Sequence, residues 1–218
     1  MIKDVGNNCD TFGDIFKQLS ASIILELRWH RGLIFVLIIF KGEFFILRGE
    51  LMFYLREVKM SDKEDIFEFT SNKEVTRYLH WHPHQKIDET IWAIENIYLS
   101  KASENLPNSY AICLNDNNKV VGIIDFHYDE GRLSIGYILN PNYWNYGIMT
   151  KALDEIVKIA FNELKVKAIY ISHDVNNIGS KRVILKNDFE LIEIKVNEQP
   201  LKNRSVVMNY YIKRNDLT

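Results

Sequence analysis

The stretch that decides the fold is Gly136-Tyr137-Ile138-Leu139-Asn140-Pro141-Asn142-Tyr143-Trp144-Asn145-Tyr146-Gly147-Ile148-Met149-Thr150. Leu133–Leu139 is apolar and β-prone, and Asn140-Pro141 stops it as a strand. From Ile148 to Leu164, Met149, Ala152, Leu153, Ile156, Ala160 and Leu164 recur at helical spacing. A strand thus runs through a turn into a helix that begins beside Gly147. The first amides of a helix have no internal acceptor, and the helix dipole is positive at that end. A glycine there lets an anion approach the backbone, so this turn can hold a phosphate or pyrophosphate. One glycine before a helix is otherwise only a tight turn.

Outward from this stretch, Phe53–Val58 alternates as a first strand, and Ser61-Asp62-Lys63-Glu64 fits a capping box opening a helix to about Ser71. A second helix is predicted from Asp88 to about Leu99, with Ile91, Ile94 and Tyr98 on one stripe. Tyr110–Leu114 and Val120–Phe126 flank Asn115-Asp116-Asn117-Asn118, a hairpin signal, and Asp129-Glu130-Gly131 makes the next turn. Ala168–Ser172 reads as a strand, Asn177 as the cap of a short helix to about Lys186, and Phe189–Val196 and Ser205–Ile212 as closing strands. This order predicts an α+β fold, a mixed sheet with helices on both faces.

The stretch as a whole resembles the GNAT (Gcn5-related) N-acetyltransferase superfamily, and is similar to the branch of ribosomal-protein alanine N-terminal acetyltransferases. That branch shows Gly-Tyr, a variable pair, a polar residue and Pro, then Tyr-Trp-Gly-x-Gly-x-Ala-Thr-Glu-Ala. Gly136, Tyr137, Pro141, Tyr143, Trp144, Gly147, Thr150 and Ala152 match it. The downstream pattern Asn-x-x-Ser and Lys-x-Gly-Phe is met by Asn177, Ser180, Lys186 and Phe189. The departures are Asn145 for the first glycine, Met149 for Ala, Lys151 for Glu, Leu185 for a Glu and Asp188 for the later glycine.

The resemblance implies the GNAT acyl-CoA N-acyltransferase fold over residues 52–218, with a sheet splayed near Leu139. It implies acetyl-CoA as co-substrate, its pantetheine arm on the backbone of Ile138 and Leu139. The pyrophosphate would take the amides of Tyr146, Gly147, Ile148, Met149 and Thr150, with Asn177 and Ser180 nearby. A neutral primary amine, from a protein N-terminus, an amino acid or a small amine, would attack the thioester directly and coenzyme A would leave. The Leu139 amide is the expected oxyanion donor.

Many relatives carry a carboxylate where Ser134 stands here, so the base is sought on the preceding strand, where Asp125 and His127 share a face. Asp125 is the first candidate and His127 the second. Ile184 stands where some relatives have a general-acid Tyr. The link Tyr78–Gln85 overhangs the active site in the family, so Tyr78 and Trp81 are expected to wall the acceptor groove. His80, His82 and His84 in the same link lack an acidic or cysteine partner nearby, and no metal is expected. A non-catalytic acyl-CoA-binding module is the alternative reading.

Composition sets the limits. Of 218 residues 26% are charged, at a formal net charge of −2, which favours a small-molecule or peptide partner over nucleic acid. Cys9 and Cys113 form no CxxC motif, so a reducing, cytoplasmic setting is expected, for a monomer or homodimer off the membrane.

Residues 1–51 do not read like the rest. Leu33–Phe40 is an unbroken apolar run, too short for the roughly 20 residues that span a bilayer. Arg48-Gly49-Glu50 can be encoded by a purine-rich ribosome-binding sequence just ahead of Met52. We therefore expect residues 1–51 to be a mis-assigned start, which N-terminal sequencing of the native protein tests. An extra strand or helix, or membrane attachment through Leu33–Phe40, are the other readings.

Overall fold

The computed structural model describes the backbone of strands 2–4, 24–30, 33–40 and 43–48, and then residues 53–101, 105–107 and 109–215. Internal contacts divide the chain into two units, Met1–Leu51 and Met52–Thr218.

In the first unit, β1 (Ile2–Asp4), β2 (Ile24–His30), β3 (Leu33–Phe40) and β4 (Glu43–Arg48) form a sheet in the order β1-β4-β3-β2. The apolar run Leu33–Phe40 is β3, paired on both sides by β2 and β4.

The second unit is a seven-stranded mixed sheet ordered β10-β11-β9-β8-β7-β6-β5. Its strands are β5 (Phe53–Glu57), β6 (Tyr110–Leu114), β7 (Val120–Asp129), β8 (Arg132–Leu139), β9 (Ala168–Asp174), β10 (Glu190–Gln199) and β11 (Arg204–Arg214). The helices are α1 (Lys63–Thr70), α2 (Lys73–Thr76), α3 (Ile87–Ala93), α4 (Ile148–Asn162) and α5 (Ile178–Lys186). The predicted elements are all present, with β7, β9, β10 and β11 running further than the residues alone suggested.

On one face, Ile66 and Phe69 of α1, with Ile94, pack against Ala111, Cys113 and Ile123, and Ile138 lies against this core. The stripe of α4 buries Ile148, Met149, Ala152, Leu153, Ile156 and Ala160. At about 25 cal/mol per Å² of apolar surface, these stripes are what hold helices to a sheet.

Two local expectations are corrected. Ser61 and Glu64 do not cap the first helix: Met60–Asp62 is a 3₁₀ turn, and the Asp62 carboxylate accepts the Lys59 N–H at 2.8 Å. Arg56 grips the same carboxylate with both terminal nitrogens, at 2.7 and 2.8 Å, and that bond drives the guanidinium pKa upward. The second helix changes register: after Ala93, Ile94–Tyr98 forms a π-helical turn ending at the cavity described below.

Candidate active site

The site starts where two strands part. β7 and β8 stay paired from Asp129↔Arg132 to Gly122↔Leu139, whereas β8 and β9 meet in parallel only at Ser134↔Tyr170. Beyond Ser134 the end of β8 has β7 on one side and an open gap on the other. The Asn140 N–H donates to the Val121 carbonyl at 2.8 Å, so Asn140 turns its peptide groups to β7. Alternation turns Ile138 the same way and Tyr137 and Leu139 towards the gap. The backbone groups open to a ligand are therefore those of Tyr137 and Leu139. Ile138, expected to share that role, is paired with Ile123 of β7 and is part of the cavity wall. The Leu139 carbonyl is taken by the Trp144 indole N–H at 2.8 Å, which leaves the Leu139 N–H facing the gap.

The turn after β8 is pinned from below. Asn140, buried, accepts the Asn142 N–H at 3.1 Å and donates to Glu68 at 2.8 Å. Burial would raise the Glu68 pKa, but its bonds from Lys119 and Asn140 outweigh that and hold it below the usual carboxylate range. Further along, Asn145 has φ 65° and Gly147 φ 79°, both left-handed. No atom lies within 4 Å of a Cβ added to Gly147, so conformation rather than space calls for glycine there. Asn145 takes the place of the family's first glycine because Asn is among the few side chains that tolerate this region.

Gly147 caps α4, and the Lys151 N–H makes the first helical bond back to its carbonyl. The amides of Ile148, Met149 and Thr150, at the start of α4, have no intrahelical acceptor and could take an anion. Met149 does not crowd it, since Ile148 and Met149 bury their side chains in the core. Asn177 accepts the Ser180 N–H at 3.0 Å as the cap of α5. The Ser180 hydroxyl shares a 2.7 Å hydrogen bond with the Tyr137 hydroxyl, and burial pushes that phenol pKa up. Ile184 is fully buried.

Beside the gap lies a cavity of about 510 Å³, whose walls include Tyr78, Trp81, Asp125, His127, Ser134 and Asn177. The Tyr146–Thr150 turn is not in its walls. Asp125 stands opposite Gly136 and His127 opposite Ser134. The Asp125 carboxylate meets the Lys101 ammonium at 2.9 Å, and Lys101 is only 6% exposed. The other Asp125 oxygen lies 3.9 Å from Nδ1 of His127, which is 40% exposed. A Cβ on Gly136 would sit 2.9 Å from the Asp125 carboxylate and 3.2 Å from the His127 ring, so the glycine makes room for this pair. Ser134 donates to the Arg132 carbonyl at 3.3 Å.

Nothing in the sequence pointed to Lys101, and the three histidines of the link disperse. His80 lines the cavity, and its pKa is lowered by burial and by Lys202 and His127; His82 bonds the Leu201 carbonyl at 2.8 Å; His84 bonds Thr90 at 2.8 Å. Among the described residues no three His, Cys, Asp or Glu side chains converge as metal ligands. The residues just before the link are also clasped, by Lys202 of the β10–β11 turn to the Thr76 carbonyl at 2.5 Å and by Arg204 at the start of β11 to the Arg77 carbonyl at 2.9 Å.

A parted parallel pair, a helix start whose first amides lack internal acceptors and a cavity bearing Asp125 and His127 are parts that suit an acyl-CoA-dependent acyltransferase. Comparison with known proteins agrees: the acetyltransferase (GNAT) domain model matches residues 53–190, and the chain belongs to that family, as an acetyl-CoA-dependent acetyltransferase. It is 29% identical over 139 residues to the uncharacterized N-acetyltransferase YoaA of Bacillus subtilis, a match spanning 62% of this chain and 78% of YoaA. The structure of a GNAT-family acetyltransferase from Bacillus anthracis matches with a TM-score of 0.65 at 24% identity, over 74% of this chain and 94% of that one. The ribosomal L7/L12 α-N-protein acetyltransferase RimL, solved with coenzyme A, matches with a TM-score of 0.67 at 20% identity, over 76% and 96%. Among the described residues no helix is long and apolar enough to cross a membrane.

Proposed function

We propose that the protein transfers an acetyl group from acetyl-CoA to a primary amine, by direct attack of the neutral amine and in the cytoplasm. The observation that carries this is the parting of β8 and β9 after Ser134↔Tyr170, with Asp125 and His127 beside the gap. Bound acetyl-CoA supplies an electrophilic thioester. The residues proposed to hold it are Tyr137, Leu139 and Asn177 along the arm and Tyr146–Thr150 at the pyrophosphate, and the Leu139 N–H would donate to the thioester carbonyl oxygen.

Lys101 occupies one oxygen of Asp125, which argues against Asp125 as the direct base. In our reading His127 takes the proton from the incoming amine and Asp125 stabilises the resulting imidazolium. Ser134 lines the path without a charge of its own. The acceptor, a protein N-terminus, an amino acid or a small amine, would lie between Tyr78, Trp81 and His127.

The test is acetyl transfer by the full chain to a panel of N-terminal peptides and small amines, following acceptor mass and free coenzyme A together. Product formation that falls by about 10²-fold or more in His127→Ala supports the assignment. Acetyl-CoA binding with neither product nor thiol release across the panel would favour the non-catalytic binding module, and undiminished product in His127→Ala would remove the base.

A further inference from the structure

A buried ion pair stands in the wall of the cavity. Lys101 and Asp125 meet at 2.9 Å with their side chains 7% and 15% exposed, and both line the cavity. Taking two charges out of water costs about as much as their attraction returns, so such a pair adds little to stability. Lys101 is set in place by the backbone. The Leu99 N–H reaches back to the Ile94 carbonyl at 3.0 Å, the five-residue step of the π-helical turn. The Tyr98 carbonyl then accepts the Ser109 N–H at 2.9 Å, and the Lys101 carbonyl accepts the Leu106 N–H at 3.1 Å. The Lys101 ammonium takes Oδ2 of Asp125, which leaves Oδ1 to face Nδ1 of His127 at 3.9 Å. The same carboxylate reaches the Tyr98 phenol, whose pKa is raised by burial first and by Asp125 second.

The other charged or titratable groups that share the cavity with His127 are Asp129 on its own strand, Arg132 on β8, Glu130 in the turn between them and His80 in the link. Asp129 stands opposite Arg132, and Glu130 lies 3.7 Å from Lys195, so each of these acids has a cation beside it. His80, its pKa lowered by burial, by Lys202 and by His127, holds no charge at neutral pH. Asp125 is the acid that meets the His127 ring, and Lys101 is the cation that answers it.

A base must arrive unprotonated. A bare carboxylate beside an imidazole favours the imidazolium, which has no lone pair for an incoming amine's proton. We propose that Lys101 is a positioning residue of the acetyl transfer: its ammonium offsets the Asp125 carboxylate, so that His127 waits as a neutral imidazole. This rests on the reading of His127 as the base. Held by Lys101, Asp125 orients the ring without charging it beforehand.

Proton NMR of the histidine rings in the full chain tests this, with the His127 signal found by its loss in His127→Gln. In Lys101→Met the His127 titration midpoint should rise by about one pH unit, and the acid limb of kcat/KM should move with it. Activity at pH 7 should fall by about tenfold and recover as the pH rises. A merely structural lysine would lower activity equally at every pH and leave the midpoint still. Lys101→Met combined with Asp125→Asn removes both charges, so midpoint and limb should return to within about half a pH unit of the wild type. The double variant leaves no unpaired buried charge and carries the test alone if the single variant does not fold. An Asp125 charge that Lys101 did not offset would show there as a midpoint about one pH unit below the wild type. That fall, or an unmoved midpoint in folded Lys101→Met, would overturn the proposal. A midpoint that moves while the rate profile stays put would uphold Lys101 and remove His127 as the base.

Discussion

The two ends of the cleft are made of different material. In the site proposed above, the cofactor end is backbone: the peptide groups of Tyr137 and Leu139, the amides at the start of α4, and two left-handed residues, Asn145 and Gly147, in the turn before it. The proposed acceptor end is side chains brought from distant segments: Lys101 after the π-helical turn, Asp125 and His127 on β7, Trp81 in the link. Backbone sites constrain residue type at fixed spacing, because few residues tolerate positive φ and few cap a helix. Side-chain sites impose no such local rule. The first end can therefore keep its geometry while the second changes chemistry.

Substitutions can break this contrast or sharpen it. The largest effect is expected where the two ends touch. Gly136→Ala adds a Cβ against Asp125 and His127, and should lower turnover by about 10- to 100-fold with the fold intact, measured as steady-state kcat. Next, Gly147→Val forces a β-branched residue into the left-handed region at a cost of about 1–2 kcal/mol. It should weaken acetyl-CoA binding by about tenfold, read by calorimetry, and leave Asp125 and His127 undisturbed.

A smaller effect should appear with pH. Burial lowers the pKa of His84 and of His173, which is held between the Asp174 carbonyl at 2.7 Å and the Tyr211 hydroxyl at 3.1 Å. The unfolded chain then binds more protons than the folded one as pH falls through the ordinary histidine range, about 6.5. Stability should be fully present above that range and decline below it. Glu68, also lowered in the folded state, extends the decline through the carboxylate range. Urea midpoints across pH check this, and a midpoint that rises on acidification would contradict it.

Smallest is Asp188→Gly. Asp188 replaces the family's later glycine and sits at φ 57°. Glycine there should raise stability by about 1 kcal/mol or less, seen as a higher melting temperature with activity unchanged.

The same contrast explains what could be read from the residues. The elements of the run Gly136–Thr150 and the cap at Asn177 were legible because strand, stop, turn and helix start are each local. That Ile138 turns its peptide groups to β7 and Tyr137 away from it was not legible, since it depends on which way Asn140 faces β7. Even the departures became intelligible once φ was known: Asn145 and Asp188 replace glycine with the two side chains best suited to that region. The partner of Asp125 was not legible, because Lys101 reaches it only through the π-helical turn at Ile94–Tyr98. The capping box at Ser61 was misread because Asp62, held by Arg56 from β5, offered the better acceptor.

The most direct test of a backbone-built cofactor end is the acetyl-CoA dissociation constant of the full chain carrying Asp125→Asn, measured by calorimetry beside the wild type. With the carboxylate gone but the peptide groups of Tyr137, Leu139 and the α4 start unchanged, the two constants should agree within about twofold, a difference under 0.5 kcal/mol. A loss of cofactor affinity by about tenfold or more would mean that the side chains of the acceptor end also hold the cofactor, and the division drawn here would fail.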